Sequence, residues 1–134
     1  MTLFCTEIDK QKRCLRWVSA GHDPAILYNR YTDAFDELGG RNTALGVDEN
    51  APYKELKRDI AKGQILVIGT DGIWESRNSQ GEMFGKEKLK GVIREKAGDS
   101  AKEILNSVIK EVEQFSYPLR KEDDITLTVI KIEQ

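Results

Sequence analysis

A single α+β domain, with strands first, then two helices, then a last strand returning to the sheet, is the fold class this sequence predicts. Three observations carry that expectation. Period-2 alternation marks the first twenty residues and Tyr53–Ile60, two amphipathic stretches of helical period follow between Leu89 and Phe115, and a last strand, Ile125–Ile132, closes the chain. The 134 residues are 39% hydrophobic and 33% charged, enough apolar material for one core and too short for two ordinary domains.

Taken in order, Leu3, Cys5 and Glu7 alternate with Thr2, Phe4, Thr6 and Ile8, and Cys14–Val18 alternates again beyond the polar Asp9-Lys10-Gln11-Lys12-Arg13. Two such runs around a short polar turn read as a β-hairpin. Ala25–Tyr28 is a third strand, entered through the turn Gly21-His22-Asp23-Pro24. Residues 29–52 are rich in glycine and asparagine and read as a looping connection holding one short strand at Ala34–Leu38. Tyr53–Ile60 alternates like a half-exposed strand, and Gln64–Thr70 is a continuous apolar run, the pattern of a strand covered on both faces. Leu89, Val92 and Ile93 have helical spacing. Ser100-Ala101-Lys102-Glu103 forms a capping box, in which the serine accepts the Glu103 amide and the glutamate reaches back to the Ser100 amide. Behind it Ile104, Leu105, Val108, Ile109, Val112 and Phe115 make one apolar stripe, and Pro118 ends the helix. Ile125–Ile132 is the last strand, with Ile125, Leu127 and Val129 on one side.

Composition excludes several functions. With 21 basic against 23 acidic residues the net charge is −2, which removes the electrostatic basis for nucleic-acid binding. The longest aliphatic run, Ile65–Ile68, falls far short of the ~20 residues that span a bilayer. No basic-then-apolar leader opens the sequence, so a cytoplasmic location is expected, with Cys5 and Cys14 as two buried, reduced thiols. His22 is the sole histidine, which excludes a multi-histidine zinc site. Nothing in the spacing supports a triad through Ser19 or Ser76, Gly69-Thr70-Asp71-Gly72 lacks the tail of a phosphate loop, and Trp17 and Trp74 read as packing residues.

Two acidic positions carry the chemistry. Asp71 stands where a buried strand leaves the sheet, a costly place for a carboxylate unless it caps the turn or holds a cation. Glu122-Asp123-Asp124 precedes the last strand; it is either a solvated run partly neutralised by Arg120 and Lys121, or one member faces inward. Antiparallel pairing of the last strand with Gln64–Thr70 would bring Asp123 close to Asp71, and oxygen-only ligands of this kind suit Mg²⁺ or Mn²⁺.

Five segments together resemble a known family. Ser19-Ala20-Gly21-His22-Asp23-Pro24-Ala25 resembles the "aGHpP" hairpin exit of bacterial metal-dependent Ser/Thr protein phosphatases, PPM type, in the sporulation-stage-II-E and RsbU branch. Thr43-Ala44-Leu45-Gly46 is similar to that branch's "pLG" turn. Residues 61–78, with Gly69-Thr70-Asp71-Gly72 at their centre, resemble "GDxLllyTDGitEarN". Gly81–Gly85 resembles "GexfG", and Asp123–Leu127 resembles "DDiTL". The resemblance implies two antiparallel sheets packed face to face with helices outside, α-β-β-α, and two Mn²⁺ or Mg²⁺ ions held by aspartates at one edge. It also implies hydrolysis of phosphoserine or phosphothreonine by in-line attack of a metal-bound water, without a phosphoenzyme. Asp71 and Asp123 would be metal ligands, and Asp124 stands where the wider family has asparagine. The implied substrate is a phosphorylated anti-sigma-factor antagonist; a degenerate fold that binds a partner without hydrolysis is the competing expectation.

The family's upstream Gly-Asp and Asp-Gly-x-Gly-x-Gly motifs do not occur, and Met1-Thr2-Leu3-Phe4 matches the strand that follows both. Residues 1–134 therefore read as the C-terminal portion of one phosphatase domain, with the N-terminal strands and first helices missing. The expected consequences are little or no turnover by the chain as written, and exposed sheet edges open to strand pairing between copies.

Overall fold

The computed structural model describes residues 1–40, 43–119 and 123–134. Seven strands form two antiparallel sheets. β1 (Leu3–Asp9), β2 (Cys14–Ala20) and β5 (Leu56–Asp59) make a three-stranded sheet in the order β1-β2-β5. β3 (Ala25–Asn29), β4 (Ala34–Leu38), β6 (Gln64–Gly69) and β7 (Leu127–Lys131) make a four-stranded sheet in the order β4-β3-β6-β7. Helices α1 (Lys86–Glu95) and α2 (Ala101–Ser116) lie between β6 and β7 in the chain.

Side-chain parity divides the apolar residues between two cores. Leu15 and Trp17 of β2, Leu27 of β3, Leu38 of β4 and Leu66 of β6 fill the space between the sheets, with Phe4, Ile8, Ile68, Ile130 and Ile132 packed at its margin. The opposite parity, Ile26 and Tyr28 of β3 and Ile65 and Val67 of β6, meets Leu89, Ile93, Ile104, Val108 and Val112 of the helices. β6 therefore has apolar cover on both faces, which is why its sequence is a continuous apolar run. α2 begins with the complete capping box at Ser100 and Glu103. Fixing that terminus and burying one stripe on a sheet accounts for its 16 residues.

Both helices cover the four-stranded sheet. The outer face of the three-stranded sheet presents Cys5, Glu7 and Lys57 to solvent. This corrects the expectation of two buried thiols: both cysteines are free, Cys14 is buried, and Cys5 is exposed on the uncovered face. Trp17 and Trp74 are core residues as expected, and the Trp17 indole N–H donates to the Gly39 carbonyl at 3.1 Å.

Three strands, β5, β6 and β7, are shorter than the sequence predicts. β5 starts at Leu56 instead of Tyr53, because the Tyr53 hydroxyl turns to the carbonyls of Thr43 and Ala44, each at 3.2 Å. β6 ends at Gly69 and β7 runs from Leu127 to Lys131, where their mutual register stops at Gly69↔Leu127. Among the described residues no helix is long and apolar enough to cross a membrane.

Candidate functional site

The motif-bearing segments gather at one end of the sandwich. β1 begins and β2 ends there, since Leu3 pairs with Ala20. β3 begins there opposite the end of β6, with Ile26 against Val67, and β7 begins there opposite Gly69. The β2–β3 turn is bent by Gly21, whose φ is +66°, and a β-carbon on it would stand 2.8 Å from the Ala44 nitrogen. Only glycine suits both the backbone angle and that approach, so the turn at residues 21–24 and the segment at 43–46 are held against each other.

Asp71 leaves the sheet immediately after β6. The Thr70 and Asp71 carbonyls accept from the Ile73 and Glu75 amides at 3.1 and 2.8 Å, forming a tight turn. The Ser76 hydroxyl donates to the Gly72 carbonyl at 2.6 Å. The chain comes back to this turn at residues 84–85, where the Phe84 amide donates to the Ser76 carbonyl at 2.7 Å and the Gly85 amide to the Trp74 carbonyl at 2.9 Å. Asp71 is half-buried, and among the described residues its carboxylate has no hydrogen-bond or ion-pair partner. The turn is thus capped by backbone carbonyls and a serine hydroxyl, and the Asp71 side chain is left over for something else.

The segment before β7 runs alongside. The Thr70 amide donates to the Thr126 carbonyl at 3.1 Å, and the Thr126 amide donates to the Thr70 hydroxyl oxygen at 3.1 Å. That hydroxyl in turn reaches the Asp124 carbonyl at 3.5 Å. Gly72 approaches so closely that a β-carbon there would lie 2.4 Å from the Asp124 carbonyl oxygen. The antiparallel pairing of β6 with β7 assumed from sequence is therefore present, and just beyond it Gly72 meets Asp124, the residues that follow Asp71 and Asp123 in the chain. Asp123 and Asp124 are exposed, and an Asp123 carboxylate oxygen accepts the Asp124 amide at 2.8 Å. Glu122, Arg120 and Lys121, the rest of the charged run, lie outside the described residues. Sequence reasoning singled out Thr70 and Gly72 only as neighbours of Asp71. Their part in clasping the two segments depends on a register between residues 52 to 56 positions apart, which no local pattern encodes.

The Ser19 hydroxyl donates to the backbone carbonyl of His22 at 3.2 Å, and the His22 ring nitrogen Nδ1 lies 2.7 Å from the Asp23 carbonyl oxygen.

Comparison with known proteins agrees with this arrangement. The family model for Stage II sporulation protein E (SpoIIE) matches residues 1–133. Phosphoserine phosphatase RsbU of Bacillus subtilis is 26% identical over 131 residues, which are 98% of this chain and 38% of RsbU. The SiaA-PP2C domain of Pseudomonas aeruginosa superposes with a TM-score of 0.86 at 19% identity, covering 98% of this chain and 52% of that one. The manganese-presoaked phosphatase domain of SpoIIE from Bacillus subtilis gives 0.70 at 21% identity, covering 98% and 56%. The structural likenesses show the fold: two antiparallel sheets with helices, as in PP2C domains. The chain spans under two fifths of RsbU and little more than half of these solved domains. With the fold, the clustered motifs and the match along nearly its whole length, the chain belongs to the SpoIIE family.

Proposed function

We propose that residues 1–134 are the C-terminal portion of a metal-dependent phosphoprotein phosphatase domain, with Asp71 and Asp123 as part of its metal-ligand set. The observation that carries this reading is the half-buried Asp71 carboxylate without a partner among the described residues, on a backbone clasped to the segment bearing Asp123. Carboxylate oxygens are hard donors, and their chemistry fits Mg²⁺ or Mn²⁺. Among the described residues, however, no group of three or more metal-capable side chains comes together. Asp71 and Asp123 therefore fit as a partial set, to be completed by ligands from outside residues 1–134. Bound divalent ions would supply an activated water and neutralise phosphoryl charge for hydrolysis. The part of this chain is to hold two of the ligands in place through the Thr70–Thr126 clasp.

The phosphoserine activity named for RsbU supports a phosphoprotein substrate, and an anti-sigma-factor antagonist in a partner-switching pathway is the form we propose, in the cytoplasm. Pairing of exposed sheet edges between copies belongs to the same reading. The incomplete ligand set favours a second reading, a binding module without hydrolysis. The upstream sequence of the parent reading frame separates the two, since two further acidic motifs there would favour the enzyme.

A manganese titration followed by Trp74 fluorescence tests the site, because that indole sits three residues beyond Asp71. A weak, saturable change that Asp71→Asn abolishes is expected, and no change in the parent chain would overturn the ligand assignment. With Mn²⁺ and a phosphoserine peptide, the 134-residue chain should stay near background; robust turnover would mean that the site lies elsewhere.

A further inference from the structure

Residues 76–84 fold into a small hairpin rooted in the candidate site. Arg77 and Met83 stand opposite each other as an antiparallel bridge, and the Asn78 amide donates to the Glu82 carbonyl at 3.0 Å. The Asn78 side chain closes the tip. Its oxygen accepts the Gln80 and Glu82 amides at 3.0 and 2.9 Å, and its nitrogen donates to the Glu82 carboxylate at 3.1 Å. The root is held by the Ser76 hydroxyl on the Gly72 carbonyl and by the buried Phe84 ring, edge-on to Phe115 at 5.6 Å. Gly72 in turn packs against the Asp124 carbonyl, so the hairpin is continuous with the segments that carry Asp71 and Asp123. A loop fixed by its own side chains loses little freedom when something binds to it.

Arg77 is the sole basic residue between Thr70 and Gly85, a stretch that also holds Asp71, Glu75 and Glu82. Arg16, Arg58 and Arg94 are paired with Glu7, Asp36 and Asp33 at 2.8, 3.1 and 2.7 Å. Arg77 is exposed and pairs with no carboxylate among the described residues; its Nη1 donates to the Gly81 carbonyl at 2.7 Å. That bond orients the guanidinium and engages one of its five N–H donors, leaving the others for an oxyanion. Residues opposite each other in an antiparallel pair share a face, so Met83, which is 48% exposed, lies beside it. A fixed cation next to an apolar side chain complements an acidic residue next to an apolar one. We propose that this hairpin docks the phosphoprotein substrate, with Arg77 taking a carboxylate and Met83 an apolar side chain close to the phosphoserine. The assignment rests on the phosphatase reading given above. An extended segment advances about 3.3–3.6 Å per residue. With its phosphate at the edge bearing Asp71 and Asp123, such a segment carries residues one to three places from the phosphoserine over the hairpin. Arg77 is thereby a specificity-determining residue and takes no part in the chemistry at phosphorus.

The test compares three substrates of the full-length parent protein with Mn²⁺: p-nitrophenyl phosphate and two leucine-containing phosphoserine peptides that differ only in flanking glutamates or lysines. The parent should favour the glutamate peptide in kcat/KM by roughly fivefold, the upper range of one exposed ion pair. Arg77→Glu should reverse that preference, and Arg77→Lys should keep its direction. Met83→Ser should raise KM for both peptides. All three variants should hydrolyse p-nitrophenyl phosphate within twofold of the parent, which also shows that they are folded. An Arg77→Glu variant with the parent's peptide preference overturns the docking role, as does a parent without any preference. A matching loss on p-nitrophenyl phosphate overturns it too, because Arg77 would then act on the phosphoryl group or on folding. An unchanged KM in Met83→Ser removes the apolar half. A parent that hydrolyses none of the three substrates overturns the phosphatase reading itself, whereas turnover of p-nitrophenyl phosphate without peptide discrimination overturns the docking role alone.

Discussion

Gly72→Ala should separate the two halves of the candidate site without touching a charged group. The added β-carbon would stand 2.4 Å from the Asp124 carbonyl oxygen and 3.2 Å from its carbonyl carbon. Both are backbone atoms, so no side chain can swing aside, and one strand must retreat by about 1 Å to restore ordinary contact. That retreat strains the Thr70 amide bond to Thr126 and the Thr126 amide bond to the Thr70 hydroxyl, each 3.1 Å long. Two such bonds contribute about 1–3 kcal/mol together. Urea denaturation followed by tryptophan fluorescence should show a loss in that range, with the melting temperature lower by roughly 5–10 °C. The manganese response of Trp74 should weaken in parallel, because Asp71 and Asp123 move apart. A variant within about 0.5 kcal/mol of the parent, the range of ordinary surface changes, would refute the close approach and with it the geometric basis of the site.

Three further substitutions address the framework. Ile104→Ala truncates a side chain with no solvent exposure between α2 and the four-stranded sheet; a loss of about 2–5 kcal/mol is expected in chemical denaturation, and a loss below 1 would show that α2 packs otherwise. Ser100→Ala removes the side-chain half of the capping box and should cost about 1 kcal/mol, whereas Ser100→Asp should restore most of it. Asp33 is held below the usual carboxylate range, chiefly by the hydrogen bond from Arg94 and then by that from Tyr28. Its stabilising effect is therefore complete above the ordinary aspartate pKa and is lost as pH falls through the lowered folded value. Asp33→Asn should flatten that part of the acid unfolding curve, and an unchanged curve would rule the pair out as a contributor.

What the sequence discloses about this fold is the local part. Alternation marks the strands because one face of each is apolar, and the continuous run of β6 announces cover on both sides. The capping box declares the start of α2 for the same reason: its partners are three residues apart. Tyr53 shows where this reading ends. Its place in an alternating run looks strand-like, yet its hydroxyl serves a loop ten residues earlier and the strand begins three residues later. Cys5 looks buried by composition, but its exposure depends on which sheet face lacks a helix, a property of assembly. At the site, Asp71 and Asp123 are legible as carboxylates at strand ends. The Thr70 clasp and the Gly72 contact arise only once β6 and β7 are in register.

The unequal covering of the strands has a dynamic consequence. β6 is an interior strand with apolar material on both faces, whereas β7 is an edge strand with one partner. Amide protons of β6 should therefore be among the slowest to exchange with deuterated water, and those at the start of β7 markedly faster. Asp71 is thus mounted on a stiff post and Asp123 on a compliant arm, so under the proposed ligand assignment adjustment to a bound ion falls to the second.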